Sequence, residues 1–386
     1  MVTISLDTYR KAIEVFERIN QAGTRISTES IFLSETWNTH SNIARILRGW
    51  KKRNKNSLTK GIDTVMFIHV FALVLQLKEK RSGENIDIGI KTLKKIADQI
   101  REGAGEKYNR LFENAIKSVA RAVEHLKEEY KIVSLGELPS QTMITVLAVF
   151  FFYQPRSLSI VQLSELRKWF WRSSLSNRYI GSGYSQYVDT DARKMRDLAE
   201  RNRKLNIPFT GSKMFAKLQG VDLRAGRSTY RNIIKQALWQ QKPVFINGSH
   251  VNRSDWESGQ HKPEDDHFFP YDLMRKEVAG QEINNILNVH FLNKDENGRK
   301  GKQPPSRWLE ERIKETGATH GDVKKYFESE LLPFKDLREL KKYERFFKQK
   351  GKTRQREFAR RYKRFLWKRF KLFENVLIRL QNGKIR

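Results

Sequence analysis

Four residues in the last third of the chain could together hydrolyse a phosphodiester bond. Asp266 and His267 are adjacent, and Asn288 and Asn297 follow them. A neutral histidine can take a proton from water near pH 7. A carboxylate and an amide oxygen can hold one hard divalent cation, most simply Mg²⁺ or Mn²⁺. This set predicts His267 as a general base, Asp266 and Asn297 as metal ligands, and Asn288 as the residue that ties the loop behind the imidazole.

The elements that must position these side chains are a short hairpin and a helix. Asp266 and His267 lie in an extended or loop segment, where adjacent side chains diverge, and Pro270 stiffens its exit. Residues 286–292 have the apolar character of a strand, and Asn297 opens a basic turn. We therefore expect a small α+β domain of the ββα-metal, or His-Me finger, type. The basic residues expected to contact phosphate in this turn are Arg299, Lys300 and Lys302.

Three other side chains lie close to this set. His290 follows Asn288 by two residues on the expected strand, where packing in the core is the favoured interpretation. Glu264 and Asp265 precede Asp266 and could supplement a metal site. Adjacent carboxylates more often form a solvated turn, and that is the expectation here.

The rest of the chain is dominated by helical periodicity, so the expected fold class is mainly α. Residues 65–75 and 143–153 are apolar runs too short for the ~20 residues that a bilayer demands, and they predict buried helices. Residues 243–248 have a strand-like pattern that ends in a turn signal. The expected organisation is a helical domain over residues 1–200, a nuclease module with a preceding helix over 201–330, and a basic helical tail over 331–386.

The charge of the chain favours a polyanionic partner. Lys and Arg number 75 against 44 Asp and Glu, which gives a formal charge of +31 and a pI of about 10.1. DNA is favoured over an anionic membrane or an acidic protein, because the basic residues are interleaved with aromatic ones. Residues 335–386 alone contain 20 Lys and Arg against 5 Asp and Glu. The phosphate contacts expected in this tail are Arg360, Arg361, Arg364 and Lys368.

The absence of cysteine excludes disulfides and thiolate zinc sites and suits a reducing cytoplasm. The opening residues 1–5 lack the basic and apolar pattern of a signal peptide. The expected location is therefore cytoplasmic, without a membrane partner. The sequence does not indicate an oligomeric state.

Several motifs resemble the C-terminal nuclease module of GmrSD-type modification-dependent restriction enzymes. They are the D-H-F-F-P run at 266–270, the segment 283–289, Asn297-x-x-Lys300, and P-S-x-W-L at 305–309. The resemblance implies the same roles as the residue chemistry, with His267 as base and Asp266 and Asn297 as ligands. It also implies a His-Asn-His type module.

The resemblance extends upstream but is incomplete. Residues 15–27 look like the F-x-R-I-N-x-x-G-T-x-L-S segment of the family's N-terminal domain, and residues 166–179 resemble its mid-chain helical region. The family segments that precede 15–27 are not in this sequence, so the N-terminal region resembles a truncated remnant of the sensor and NTPase region. A separate subunit could supply the missing part.

The expected function is a metal-dependent DNA endonuclease in prokaryotic defence against foreign or modified DNA. The alternative is a non-catalytic nucleic-acid-binding subunit, or a fragment of a split restriction system. An RNA-directed nuclease is a third interpretation, because no motif is specific for the 2′-hydroxyl group.

Overall fold

A computed structural model describes residues 28–36, 42–54, 58, 61–81, 83–103, 105–181, 184–211, 215–224, 229–251, 264–275, 278, 280–345 and 352–384. Within these ranges the protein is mainly helical, with one small antiparallel sheet, as the composition and periodicity predicted. The motif at 15–27 lies outside the described residues. None of the described helices combines the length and the apolar character that a bilayer crossing requires.

The chain forms two compact units, and neither is a continuous stretch. The first contains Met1–Ala122, Ile144–Pro155 and Ser185–Arg196, and the second contains Val123–Met143, Arg156–Tyr184 and Asp197–Arg386. This division differs from the three consecutive segments expected from the sequence. The expected nuclease module and basic tail fall in the same unit, together with two stretches of the region that was expected to be a separate helical domain.

The first unit is built around a long buried helix. Asp63 caps this helix by accepting a hydrogen bond from the Val65 amide at 3.4 Å, and nearly every side chain from Phe67 to Leu77 is buried. The prediction of a buried helix over 65–75 is therefore confirmed. The helices that begin in this unit are α1 (Thr28–Glu35), α2 (Ile43–Arg53), α3 (Thr64–Glu79), α4 (Ile90–Glu102) and α5 (Gly105–Tyr130).

The second predicted apolar helix is also confirmed, as α6 (Thr142–Tyr153). The helix α7 (Ile160–Leu175) begins at a capping box, in which the Ser159 side chain and the Gln162 side chain satisfy each other's backbone amides. Its Trp169 and Trp171 are buried core residues. The helices α8 (Tyr184–Arg201) and α9 (Thr229–Trp239) follow.

The sheet has two strands, β1 (Glu264–His267) and β2 (Val289–Leu292). The predicted strand at 243–248 is wrong: Val244 makes a single bridge with His250, and Gly248 turns the chain at φ 79°. Only the second half of the predicted strand at 286–292 is extended, because Ile286–Asn288 form a 3₁₀ turn.

Short helices and a long C-terminal helix complete the second unit. They are α10 (Tyr271–Met274), α11 (Gly280–Ile283), α12 (Lys294–Lys300), α13 (Pro305–Thr316), α14 (His320–Ser329), α15 (Leu337–Glu344) and α16 (Lys352–Gln381). Phe268 and Phe269, directly after β1, pack in the same apolar core as Phe365 of α16. Both phenylalanines therefore anchor the segment that follows β1 in this core.

The spacing of apolar residues in the basic tail predicts one apolar stripe, and α16 shows this stripe with one exchange. The predicted members are Phe346, Phe347, Phe358, Tyr362, Phe365, Leu366, Trp367, Phe370 and Phe373. Phe358, Tyr362 and Phe365 are buried, whereas Trp367 is 54% exposed. At 100° per residue Trp367 falls opposite the stripe, and Arg369 falls within it. Arg369 is 0% exposed, which is unusual for a cation. The residues Phe346 and Phe347, expected on the same stripe, lie outside the described residues.

Candidate functional site

The hairpin divides the side chains of β1 between two faces. β1 pairs antiparallel with β2, with Asp266 opposite His290 and His267 opposite Val289. Because side chains alternate along a strand, Glu264 and Asp266 share one face and Asp265 and His267 share the other. Glu264 and Asp265 are therefore part of a strand, and the expectation of a solvated turn is wrong.

The Asp266 carboxylate is held by two buried side chains. Its Oδ2 accepts hydrogen bonds from His290 Nε2 at 3.0 Å and from the ammonium group of Lys300. Burial raises the pKa of Asp266, but the bond from His290 and the charge of Lys300 outweigh it, so the pKa lies well below its usual range. Asp266 is therefore a carboxylate at neutral pH.

Lys300 does not lie on the surface. The sequence predicted it as a phosphate contact, but its side chain is 1% exposed and pairs with Asp266. Its ammonium group also donates to the backbone carbonyl of His267. Lys300 lies in the last turn of α12, and α12 packs against β1. The side chain of Lys300 is therefore directed towards the strand rather than towards solvent.

His290 is packed, as expected, and also takes part in the polar network. It is 0% exposed, and burial lowers its pKa to about 3, so the ring is neutral at pH 7. A carboxylate only accepts hydrogen bonds, so Nε2 carries the proton that reaches Asp266. Nδ1 then accepts from the Tyr326 hydroxyl at 2.6 Å. Tyr326 and His290 thus form a buried chain that orients Asp266, a role that the apolar sequence around His290 does not signal.

His267 ends β1, and one of its ring nitrogens, Nε2, is buried. Burial lowers the pKa of His267, and the charge of Asp266 and a hydrogen bond with the Asn284 side chain oppose this shift. Among the described residues, no group forms a hydrogen bond with its buried Nε2. Other buried nitrogens of the described residues, such as the indole nitrogens of Trp171 and Trp308, also lack a partner, so the missing partner at His267 has weight only together with its position beside Asp266 and Asn288. The imidazole is therefore neutral near pH 7, and Nε2 is the available nitrogen.

Asn288 clamps the two residues after His267. Its Oδ1 accepts the Phe269 amide at 3.0 Å, and its Nδ2 donates to the Phe269 carbonyl at 3.0 Å and to the Ile283 carbonyl at 3.1 Å. The Asn288 carbonyl accepts the Phe268 amide at 2.6 Å. The side chain is fully buried. These bonds fix the backbone that carries the imidazole, which is the geometry expected of a loop-tying residue.

Replacing Asn288 with alanine is expected to lower the free energy of unfolding by about 2–4 kcal/mol, because buried backbone groups lose their partners. Urea titration followed by circular dichroism measures this change. The matched control is Asn382→Ala, which removes an exposed amide near the end of α16 and should leave the midpoint unchanged. Equal midpoints for Asn288→Ala and the wild type would show that the clamp does not hold the loop.

Asn297 lies on α12, whose first turn is capped by Asn293 accepting the Glu296 amide at 2.8 Å. Asn297 Nδ2 donates to Glu264 at 2.8 Å, so its amide oxygen remains for another ligand. Glu264, Asp266 and Asn297 supply oxygen donors of the kind that Mg²⁺ and Mn²⁺ prefer, so their chemistry fits such an ion, which would have to share Asp266 with Lys300 and His290. In the described part of the chain no group of three or more His, Cys, Asp or Glu side chains could hold a metal.

The predicted surface cations differ in their partners. Arg299 pairs with Glu315 and Lys302 with Asp272, both at 3.0 Å. Arg360 and Arg361 share Glu357. Arg364 and Lys368 are exposed and have no carboxylate partner in the described ranges. The last four cations line one side of a groove of about 390 Å³, which Lys342 and Tyr343 also line.

Comparison with known proteins identifies a distant relative and no family. No protein-family model matches the chain. An uncharacterized protein of Methanocaldococcus jannaschii is 23% identical over 319 residues, which cover 80% of this chain and 51% of that protein. The chain thus spans about half the length of the relative that it matches.

Proposed function

We propose that this chain is a metal-dependent DNA endonuclease with a His-Me finger site, of the GmrSD-type restriction class, acting in prokaryotic defence. The observation that carries the proposal is the position of His267. Its Nε2, which has no hydrogen-bond partner among the described residues, lies at the end of β1 next to the Asn288 clamp, and the ionised Asp266 precedes it on the other face of the strand. A general base and a metal-binding carboxylate are groups that phosphodiester hydrolysis can use.

In this proposal His267 takes the proton of the attacking water at Nε2. Burial keeps the imidazole neutral, so the lone pair is available near pH 7. The Lys300 bond to the His267 carbonyl and the Asn288 bonds to Phe269 hold the backbone on both sides of the ring. The imidazole then needs little rearrangement before the proton moves.

Asp266 and Asn297 would hold one Mg²⁺ or Mn²⁺ ion, with Glu264 within reach of Asn297. When bound, the ion would supply positive charge for the phosphate and the leaving oxygen. Tyr326 and His290 keep the Asp266 carboxylate oriented towards α12. When no ion is bound, the ammonium group of Lys300 supplies a positive charge next to Asp266.

The surface cations would hold the DNA backbone. Arg299 is exposed on α12, Lys302 is exposed directly after this helix, and the groove beside α16 presents Arg364 and Lys368. Contacts of this kind position a duplex without reading its sequence. DNA binding should therefore weaken steeply as salt rises.

Cleavage is expected only when a divalent ion is present. Supercoiled plasmid should be converted to nicked or linear product with Mg²⁺ or Mn²⁺, and EDTA should prevent the conversion. Gel electrophoresis measures the products over time, and an RNA of equal length tested in parallel identifies the preferred nucleic acid. Equal conversion in EDTA and in Mg²⁺ would rule out a metal-dependent site.

A second candidate is the non-catalytic nucleic-acid-binding subunit. It is favoured by one observation: Lys300 and His290 already bind the Asp266 carboxylate, which leaves Asp266 without a free negative charge. In that case the protein would shift plasmid mobility without nicking it at any ion concentration. A partner protein would then supply the chemistry.

A further inference from the structure

The helix α2 carries cations and no carboxylates. Its cations are Arg45, Arg48, Lys51, Lys52 and Arg53. Lys51 turns inward and donates to the Ile62 carbonyl at 3.2 Å and to the Thr64 hydroxyl at 3.0 Å. The other four are exposed. This helix belongs to the first compact unit, whereas β1, β2 and α12 belong to the second.

Three of these cations form one stripe. Arg45, Arg48 and Lys52 are spaced by three and four residues, which places them on the same face of a helix. Ile43 and Leu47 are buried on the opposite face. Within the described part of the chain, none of the three cations forms an ion pair with a carboxylate. Their charge is therefore not neutralised by any carboxylate that the structure describes.

A groove runs along one side of the stripe. It has a volume of about 440 Å³, and Trp50 lines it between α2 and α5. Arg45, Arg53 and Lys117 border it, against the single carboxylate of Glu113. On α5 the charges of Glu113 and Lys117 offset each other, so the positive charge of the groove comes from α2.

We propose that this face of α2 binds the phosphate backbone of double-stranded DNA. These cations have no carboxylate partner among the described residues, so an anionic partner suits them. When such cations neutralise the phosphates of DNA, the counterions condensed on the DNA are released, and this release favours binding. A membrane surface fits less well, because Ile43 and Leu47 are buried and the half-buried Ile46 and Trp50 line the groove, which leaves no continuous apolar face to insert. The groups involved are guanidinium and ammonium, which contact phosphate without reading bases. This inference does not depend on the nuclease proposal.

The test is a triple substitution, Arg45→Gln with Arg48→Gln and Lys52→Gln. Its matched control is Lys91→Gln with Lys95→Gln and Arg110→Gln, which removes the same charge from exposed positions on α4 and α5 of the same unit. Fluorescence anisotropy with a 30-base-pair duplex, in EDTA so that no cleavage is needed, gives the affinity at several salt concentrations. Thermal melting checks that both variants fold.

The α2 variant is expected to bind at least ~10-fold more weakly at low salt. The slope of log affinity against log salt should fall by roughly 0.9 for each phosphate group that the variant no longer binds. The control should keep both values close to those of the wild type. Equal reductions in the two variants would show that only overall charge matters, and would overturn the proposal. An α2 variant that binds DNA like the wild type but no longer binds polyglutamate would also overturn the proposal, because this face would then bind an acidic protein.

Discussion

Replacing His267 with alanine is expected to reduce plasmid nicking by about 10²–10⁴-fold, because the reaction loses its general base. DNA binding should stay within twofold of the wild type, since the imidazole is largely buried and contributes no charge near pH 7. Initial nicking rates in Mg²⁺, measured beside anisotropy in EDTA, separate the two effects. The neutral ring and the unpartnered nitrogen are the physical reason to expect so large a difference.

The control for this substitution is His320→Ala, which removes an exposed imidazole at the start of α14. Its nicking rate should equal that of the wild type. A His267→Ala protein that nicks as fast as the wild type would contradict the proposed function, provided that traces of other nucleases are excluded. A protein that binds DNA but never nicks it, with or without His267, would favour the binding subunit.

Replacing Arg369 with leucine is expected to lower the free energy of unfolding by about 2–5 kcal/mol, because two buried carbonyls lose their donor. The buried guanidinium donates to the Leu287 carbonyl at 2.6 Å and to the Glu330 carbonyl at 2.8 Å. Burial raises the pKa of Glu330 to about 8, and the charge of Arg369 opposes that shift. Leucine would leave both carbonyls unsatisfied and remove the positive charge that favours ionised Glu330. Urea unfolding measured by tryptophan fluorescence gives the change.

Two variants show whether the destabilisation comes from this buried group. Lys368→Leu removes the neighbouring exposed cation and should change stability by less than ~0.5 kcal/mol. Arg369→Lys keeps a charge but cannot reach both carbonyls as a planar fork, so it should fall between the wild type and leucine. A stable Arg369→Leu protein would mean that the guanidinium does not hold α16 to the turn before Asn288.

Helices and their buried faces could be predicted from the sequence. The apolar runs in α3 and α6 exceed what a surface helix carries, and burial is their simplest outcome. The strand pattern at 243–248 was misleading because a short apolar run beside a turn suits both a hairpin and a single bridge. Local pattern does not decide between them, because pairing depends on which strand lies nearby.

The candidate site was predicted in its residues but not in its contacts. Spacing placed His267 and Asn288 on neighbouring segments, and the clamp at Phe269 agrees with that placement. Spacing could not show that Lys300 turns inward or that Arg369 lies in an apolar stripe. Both are cations in a basic segment, where exposure is the usual outcome. Only the packing of α12 and α16 removes them from solvent.

The alternation of the chain between the two units limits how this protein can be rearranged. Each unit is assembled from three separate stretches of sequence, and α5 begins in one unit and ends in the other. A single genetic crossover therefore cannot exchange one unit and leave the other whole. A chimaera that joins two parents at one site within this alternating region would therefore combine residues of both parents inside at least one unit.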